Sequence, residues 1–242
     1  MLAAQEKLRP LLKMAQSGNS WRDDLNLYHT GEGPQGLVNL SPAWFQQGHD
    51  VSPLRTEFNS QQLIMNQATV QQCPRVSASF SSAAALDWLY AISESNTILS
   101  TVLAVIHPNL YEAGWNTINH LRHTPETGSR DVLSRWASVF SSVAIISNRI
   151  TPLHRDRNSR KNWYDILVTL GRYRNCDLEL PSLGITLEYG PGTVVGISGF
   201  VFQHAVPSFE GDRVCYAYFM RNNVHEWAKV PGSDWMHTKF YE

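Results

Sequence analysis

Apolar side chains recur at helical spacing at the start of the chain. Leu2, Leu8, Leu11 and Leu12 are interleaved with Lys7, Arg9 and Lys13, which predicts an amphipathic helix over residues 2–16 that stops at Ser17-Gly18. Residues 18–80 lose this period and are rich in Gly, Pro, Gln, Asn and Ser, so they read as a loop-rich wrap with short elements. The apolar pattern returns from Ser82 to Ile106 and matches one or two buried helices. These end before Pro108, because the residue ahead of a proline is pushed out of the helical region. Two further helices are predicted over 109–122 and 129–139, the second with Ser129 as N-cap and Asp131 in its first turn.

The pattern changes near residue 140. From Phe140 onward β-branched and aromatic residues rise, and Gly, Pro and Asn punctuate the chain at short intervals, as in antiparallel strands. Strands are expected near 141–149, 163–170, 176–181, 184–188, 193–197, 200–206, 213–220 and 224–228. The turn chemistry agrees, with Gly190-Pro191-Gly192, Glu210-Gly211-Asp212 and Pro181-Ser182-Leu183-Gly184 between apolar runs. Eight short strands suit a jelly roll. The expected class is α+β, with a double-stranded β-helix core over 140–242. A helical and loop-rich part, 1–139, packs on it, and together they form one catalytic domain.

Composition narrows the function classes. The 242 residues are 43% apolar and 17% charged, enough for one globular core and too apolar for a disordered chain. Twenty basic against twenty-one acidic residues give a net charge of -1, which excludes a histone-like binder and requires that any polyanion be met by a local patch. Three cysteines, Cys73, Cys176 and Cys215, form no C-x-x-C pair, so the chain reads as intracellular and reducing, with neither a disulfide framework nor a thiolate zinc site. No apolar run reaches the roughly 18 residues that span a bilayer, and no membrane association is expected.

The residues that carry chemistry lie in the second half. His154-Arg155-Asp156 is an H-x-D pair that offers an imidazole and a carboxylate from one strand end. Alone, the tripeptide is more often a solvated surface pair than a ligand pair. About fifty residues of strand pattern later, His204 stands in the apolar run Phe200-Val201-Phe202-Gln203-His204-Ala205-Val206, where burial of an imidazole needs a partner. Arg213 opens the next strand, and a guanidinium there suits bidentate capture of a carboxylate. Two histidines and one carboxylate are the donor set of a facial iron(II) site that leaves three positions open.

With Leu170-Gly171-Arg172-Tyr173, Asp177-Leu178-Glu179-Leu180-Pro181-Ser182-Leu183-Gly184, Pro191-Gly192 and Gly211-Asp212-Arg213, these residues resemble the signature of the TET/JBP branch of 2-oxoglutarate and iron(II)-dependent dioxygenases. The likeness is closest to the expanded fungal group found in mushrooms. It covers about residues 140–222. The resemblance implies iron(II), 2-oxoglutarate and dioxygen as cofactor and cosubstrates, with His154, Asp156 and His204 as metal ligands. It also implies Arg213 on the distal carboxylate of 2-oxoglutarate, and Arg149 and Cys215 beside it. Cys215 stands where relatives often have a serine. Phe219 matches the ring that stacks on a flipped base, and Arg221 stands where some relatives have a histidine that contacts methylated cytosine. The carboxamide or carboxylate expected just after Asp156 falls on Asn158 or Ser159.

The implied activity is oxidation of a methyl group on a base of double-stranded DNA, first of all 5-methylcytosine to 5-hydroxymethylcytosine and further oxidised forms, by a nuclear monomer. N6-methyladenine, RNA and a small molecule remain open as substrates on the same fold. A metal-free jelly-roll binding module is the reading from another class. Arg149, Arg155, Arg157, Arg160 and Lys161 form the densest basic run, of which Arg155, Arg157, Arg160 and Lys161 are assigned to DNA phosphates. His120, Arg122, His123 and Arg130 read as surface helix and loop, and His225 as a rim residue of an edge strand.

Overall fold

The computed structural model describes residues 1–12, 24–45, 73–124, 130–156 and 159–237. The first helix, α1 (Leu2–Leu8), gives way to a 3-10 turn over Arg9–Leu11, where Pro10 contributes no N–H to a continuing helix. Residues 13–16 of the expected helix lie outside the described residues, as does Ser129. In α2 (Ala83–Ala91) the Ser82 hydroxyl accepts the Ala84 N–H at 3.3 Å, a side-chain cap. It continues through Ile92 into α3 (Ser93–Ile106). The next helix, α4 (Pro108–His123), opens with proline at its first position, and His107 caps it by accepting the Leu110 N–H on Nδ1 at 3.4 Å. α5 (Arg130–Arg135) follows.

Two antiparallel sheets face each other. One has the order β1 (Gly36–Leu40), β2 (Ser142–Ser147), β9 (Glu210–Phe219), β4 (Asp165–Arg174), β7 (Val194–Ile197). The other has the order β3 (Thr151–His154), β8 (His204–Val206), β5 (Asp177–Leu180), β6 (Ile185–Glu188). This is the double-stranded β-helix expected from the sequence. Period-2 alternation splits the larger sheet into two faces. Val143, Ile145, Ile166, Val168, Val214, Tyr216 and Tyr218 are buried with Trp88, Leu89, Leu103 and Leu121 in a core shared with the helices. The opposite face carries Thr169, Tyr173, Arg213, Cys215 and Phe219. It meets the smaller sheet around Leu178, Leu180, Tyr189, Val206 and Phe209.

Three expectations change. The run 224–228 is not a strand but part of α6 (Asn222–Trp227), in which the Ala228 N–H bonds the Val224 carbonyl at 3.0 Å. Val224 and His225 are both buried, which a half-exposed strand does not allow for neighbours. The strand expected over 200–206 shrinks to β8, because the Ser198 carbonyl accepts the N–H groups of both Val201 and Phe202 and turns the chain there. One strand appears where none was expected, and the strand that ends at His154 is separate from the run near 141–149. β1 lies in the loop-rich stretch and joins the barrel sheet through Leu37↔Ile146 and Asn39↔Ala144. β3 holds Pro152, which a strand tolerates at the edge of a sheet.

Candidate metal centre and its surroundings

His154 ends β3 and stands directly opposite His204, the first residue of β8. Their rings lie 4.2 Å apart between centroids. In both residues Nδ1 bonds a backbone carbonyl two residues upstream, Pro152 at 2.9 Å and Phe202 at 3.1 Å. A carbonyl only accepts, so each ring carries its proton on Nδ1 and turns Nε2 outward as a lone-pair donor, the arrangement that orients metal-binding histidines. Asp156 follows two residues after His154, and its N–H bonds the Gly199 carbonyl at 2.9 Å. Its carboxylate lies 3.7 Å from His154 Nε2 and 3.6 Å from His204 Nε2, and the three donor atoms fall within 4.8 Å of one another. Among the described residues this is the one such cluster of three or more metal-ligating groups. The separations exceed hydrogen-bond length yet let one cation touch all three, so the residues fit the facial iron set.

Gly199 closes that site from one side. A Cβ there would meet the Asp156 carboxylate at 2.8 Å and the Asp165 carboxylate at 3.0 Å. Asp165 opens β4 and is buried, and burial drives its carboxyl well above the ordinary range, with the charge of Asp156 adding to the effect.

Arg213 is 3% exposed, and no acid of the described residues pairs with it. Its Nε donates to Thr169 Oγ1 at 3.0 Å, and its backbone N–H to Asn148 Oδ1 at 2.8 Å. Tyr189, Phe209 and Tyr173 surround the guanidinium, with their centroids 5.1, 5.7 and 6.0 Å from Cζ. Burial opposes its charge, and its pKa is raised above the usual guanidinium value by Cys215, Tyr189, Cys176 and Tyr173, which attract the guanidinium only when they are themselves ionised. A buried, permanently charged fork in an aromatic box is built to receive an anion.

Residues 64–222 match the sequence model of the Tet_JBP family, described as the oxygenase domain of the 2OGFeDO superfamily. The chain belongs to the TET/JBP oxygenase family. No curated protein matches it in sequence. Among solved structures it is similar to NgTET1 in complex with 5mC DNA, at 20% identity and a TM-score of 0.48, over 69% of this chain and 62% of that one.

The other expected site residues of this TET/JBP oxygenase fall into three groups. On the barrel face, Cys215 is two residues from Arg213 in β9 and buried, with Tyr189 Oη 4.0 Å from its sulfur. Arg149 is buried at 3% exposure, which removes it from the basic run facing solvent, and its backbone bridges Tyr28. Phe219 ends β9 opposite Ser142, and Arg221 stacks on it with Cζ 5.4 Å from the ring centroid. Beside the metal cluster, Ser159 N–H bonds the Asp156 carbonyl at 3.1 Å. Asn158 and Arg157 lie outside the described residues. Of the phosphate candidates, Arg155 and Lys161 are exposed, whereas Arg160 lies over the Trp163 ring and pairs with Glu226 at 3.6 Å.

Two histidine and arginine readings are corrected here. His225 is no rim residue: it is buried in α6 against Trp163 and its Nδ1 bonds Thr117 Oγ1 at 3.0 Å. Arg122 is not a surface charge, since its guanidinium donates to the carbonyls of Leu133 at 3.1 Å and Trp136 at 2.7 Å, closing the end of α5. Sequence reasoning missed Asn148, Thr169, Tyr189, Asp165 and Trp44. Only Asn148 left a local trace, an asparagine at a strand end, where it adopts φ 51° and aims its amide at Arg213 and Asp212.

Proposed function

We propose that the chain is an iron(II) and 2-oxoglutarate-dependent dioxygenase that oxidises a methyl group on a base of double-stranded DNA in the nucleus, 5-methylcytosine first. The observation that carries this reading is the convergence of two outward-turned Nε2 atoms and the Asp156 carboxylate in a chain of the TET/JBP family. His154, Asp156 and His204 would hold the metal. When bound, iron with 2-oxoglutarate supplies the activation of dioxygen, and the cosubstrate leaves as succinate and carbon dioxide.

The protein's own part is positional. Backbone carbonyls of Pro152 and Phe202 fix the two imidazoles, and the Gly199 carbonyl fixes the backbone that carries Asp156. Arg213 would take the distal carboxylate of 2-oxoglutarate, held at the right angle by Thr169 and Asn148. The aromatic box keeps water from that ion pair. Phe219 lies on the same face of β9 as Arg213, at the other end of the strand. One step beyond the Ile166–Tyr218 pair, it is level with Asp165, whose carboxylate shares Gly199 with Asp156. This register supports Phe219 as the ring under an extruded base on the metal side of the barrel.

The test is nucleoside mass spectrometry. Duplex DNA carrying 5-methylcytosine and N6-methyladenine is incubated with protein, iron(II), ascorbate and 2-oxoglutarate. The reading predicts oxidised cytosine that disappears without 2-oxoglutarate. Loss of N6-methyladenine alone would transfer the reading to that base, and succinate without change in either base would remove DNA as the substrate.

A further inference from the structure

Residues 28–35 form a loop at the Arg213 end of the barrel, and the whole loop precedes residue 64, where the family match begins. Its two ends meet where β2 stops. The His29 N–H donates to the Asn148 carbonyl at 2.7 Å, the Ser147 hydroxyl to the Pro34 carbonyl at 2.6 Å, and the Gln35 side-chain amide closes the neck on the His29 carbonyl at 2.7 Å. The middle of the loop crosses Asp212. That carboxylate accepts the Gly33 N–H at 2.8 Å, the Glu32 N–H at 3.2 Å and the Asn148 side-chain amide at 2.7 Å. A Cβ at Gly31 would collide with the carboxylate and one at Gly33 would stand 2.9 Å from it, so the crossing needs glycine.

Asp212 and Arg213 are neighbours on β9, and strand alternation sends their side chains to opposite faces of the sheet. The loop on one face and the anion box on the other therefore hang on adjacent residues. Asn148 joins them: its N–H donates to the Arg213 carbonyl and its Oδ1 accepts the Arg213 N–H, both at 2.8 Å, while its Nδ2 holds Asp212. The loop also touches the box itself. The His29 ring meets Phe209 edge-on with centroids 5.2 Å apart, and Phe209 stands 5.7 Å from Arg213 Cζ.

We propose that Asp212 is a positioning residue that binds this loop over the Arg213 end of the barrel, and that the loop, through His29 on Phe209, forms the outer wall of the pocket for the distal carboxylate of the cosubstrate. The inference rests on the proposed function for the anion that Arg213 receives, and adds a wall built from residues outside the family match. Two consequences separate it from simpler roles. Coupling is reciprocal, so a loop that stiffens the pocket is itself stiffened when the pocket fills. Charge alone acts with the opposite sign: removing a carboxylate one residue from the guanidinium favours an anion there, whereas loosening the wall disfavours it.

The experiment reads binding and loop order, not turnover. Iron(II)-loaded protein without oxygen is titrated calorimetrically with 2-oxoglutarate, in wild type, Asp212→Ala and His29→Ala. Amide hydrogen exchange across residues 28–35 is followed by mass spectrometry with and without 2-oxoglutarate. In wild type 2-oxoglutarate is expected to slow exchange in the loop by about fivefold or more. Asp212→Ala should weaken 2-oxoglutarate about tenfold and abolish that slowing, and His29→Ala, which leaves the Asp212 bonds in place, should weaken it about fivefold with an unchanged unfolding midpoint. Unchanged or tighter binding in Asp212→Ala, wild-type binding in His29→Ala, or a loop whose exchange ignores 2-oxoglutarate would each overturn the assignment and leave the proposed function standing. Absence of base oxidation with the coupling intact would count against the proposed reaction alone, and a wild type that does not bind 2-oxoglutarate would overturn both.

Discussion

Arg213→Met separates the binding role of this residue from any structural one, because the two roles move stability in opposite directions. In the protein without cosubstrate, a guanidinium 3% exposed has no acid partner among the described residues. Methionine of similar length removes the buried charge. It also leaves no orphan behind, since Thr169 Oγ1 keeps its bond to Tyr173 Oη at 2.7 Å and Tyr173 Oη its bond to the Tyr189 carbonyl at 2.8 Å. Replacing buried charge by apolar volume is typically neutral or stabilising, and here we expect a gain of about 1 kcal/mol. With a urea m-value of about 2.5 kcal/mol/M, that is a midpoint about 0.4 M higher in metal-free protein. Loss of a bidentate charged pair with 2-oxoglutarate should cost about 3 kcal/mol, which raises the cosubstrate KM for succinate formation about 100-fold. Urea unfolding and succinate kinetics on the same preparation check both halves. A metal-free variant destabilised by about 3 kcal/mol, or a KM within about threefold of wild type, would refute the reasoning.

Three other outcomes follow from the same geometry. Gly199→Ala is free of backbone strain, as Gly199 is not among the positive-φ residues, but its Cβ displaces the Asp156 carboxylate; iron(II) affinity should fall about 10-fold to 100-fold in equilibrium titration, with thermal stability little changed. His225 has its pKa lowered to about 4 by burial, with Arg160 adding, so the unfolded chain takes the proton first and stability is lost as pH falls below about 6.5. Wild type should lose about 2 kcal/mol from this group by pH 5 and about 3 kcal/mol by pH 4, and His225→Asn should remove that slope in urea titrations across pH. Phe219→Ala should keep succinate formation while base oxidation drops about tenfold or more, read by running succinate and nucleoside assays in parallel.

The barrel was legible in the sequence wherever its signals were local. Strand alternation from Ile145 to Tyr218, the Pro191-Gly192 turn and the helix ends at Ser82 and Pro108 each depend on neighbours within a few residues. The metal candidates were legible too, because the H-x-D pair is local and His204 stood in an apolar run where it needed a partner. What the sequence hid was long-range. Gly36–Leu40 is too short and too ordinary to announce a strand, and only pairing with β2 makes it one. Val224 and His225 resemble a strand pair until α4 and Trp163 supply a helix-shaped pocket. Arg149 lies in a basic run, yet the bridge to Tyr28 turns it inward. Thr169 and Trp44 reach Arg213 and Arg221 across 44 and 177 residues of chain, contacts that no spacing rule encodes.

The central claim is that oxygen from dioxygen is delivered to a DNA methyl group at the His154–Asp156–His204 cluster. Turnover under oxygen-18 gas, followed by mass analysis of the nucleosides and of succinate, tests it most directly. The account predicts one labelled oxygen in 5-hydroxymethylcytosine and one in succinate, in equal amounts, with both lost in Asp156→Ala. An unlabelled nucleoside product, or labelled product persisting in Asp156→Ala, would contradict it.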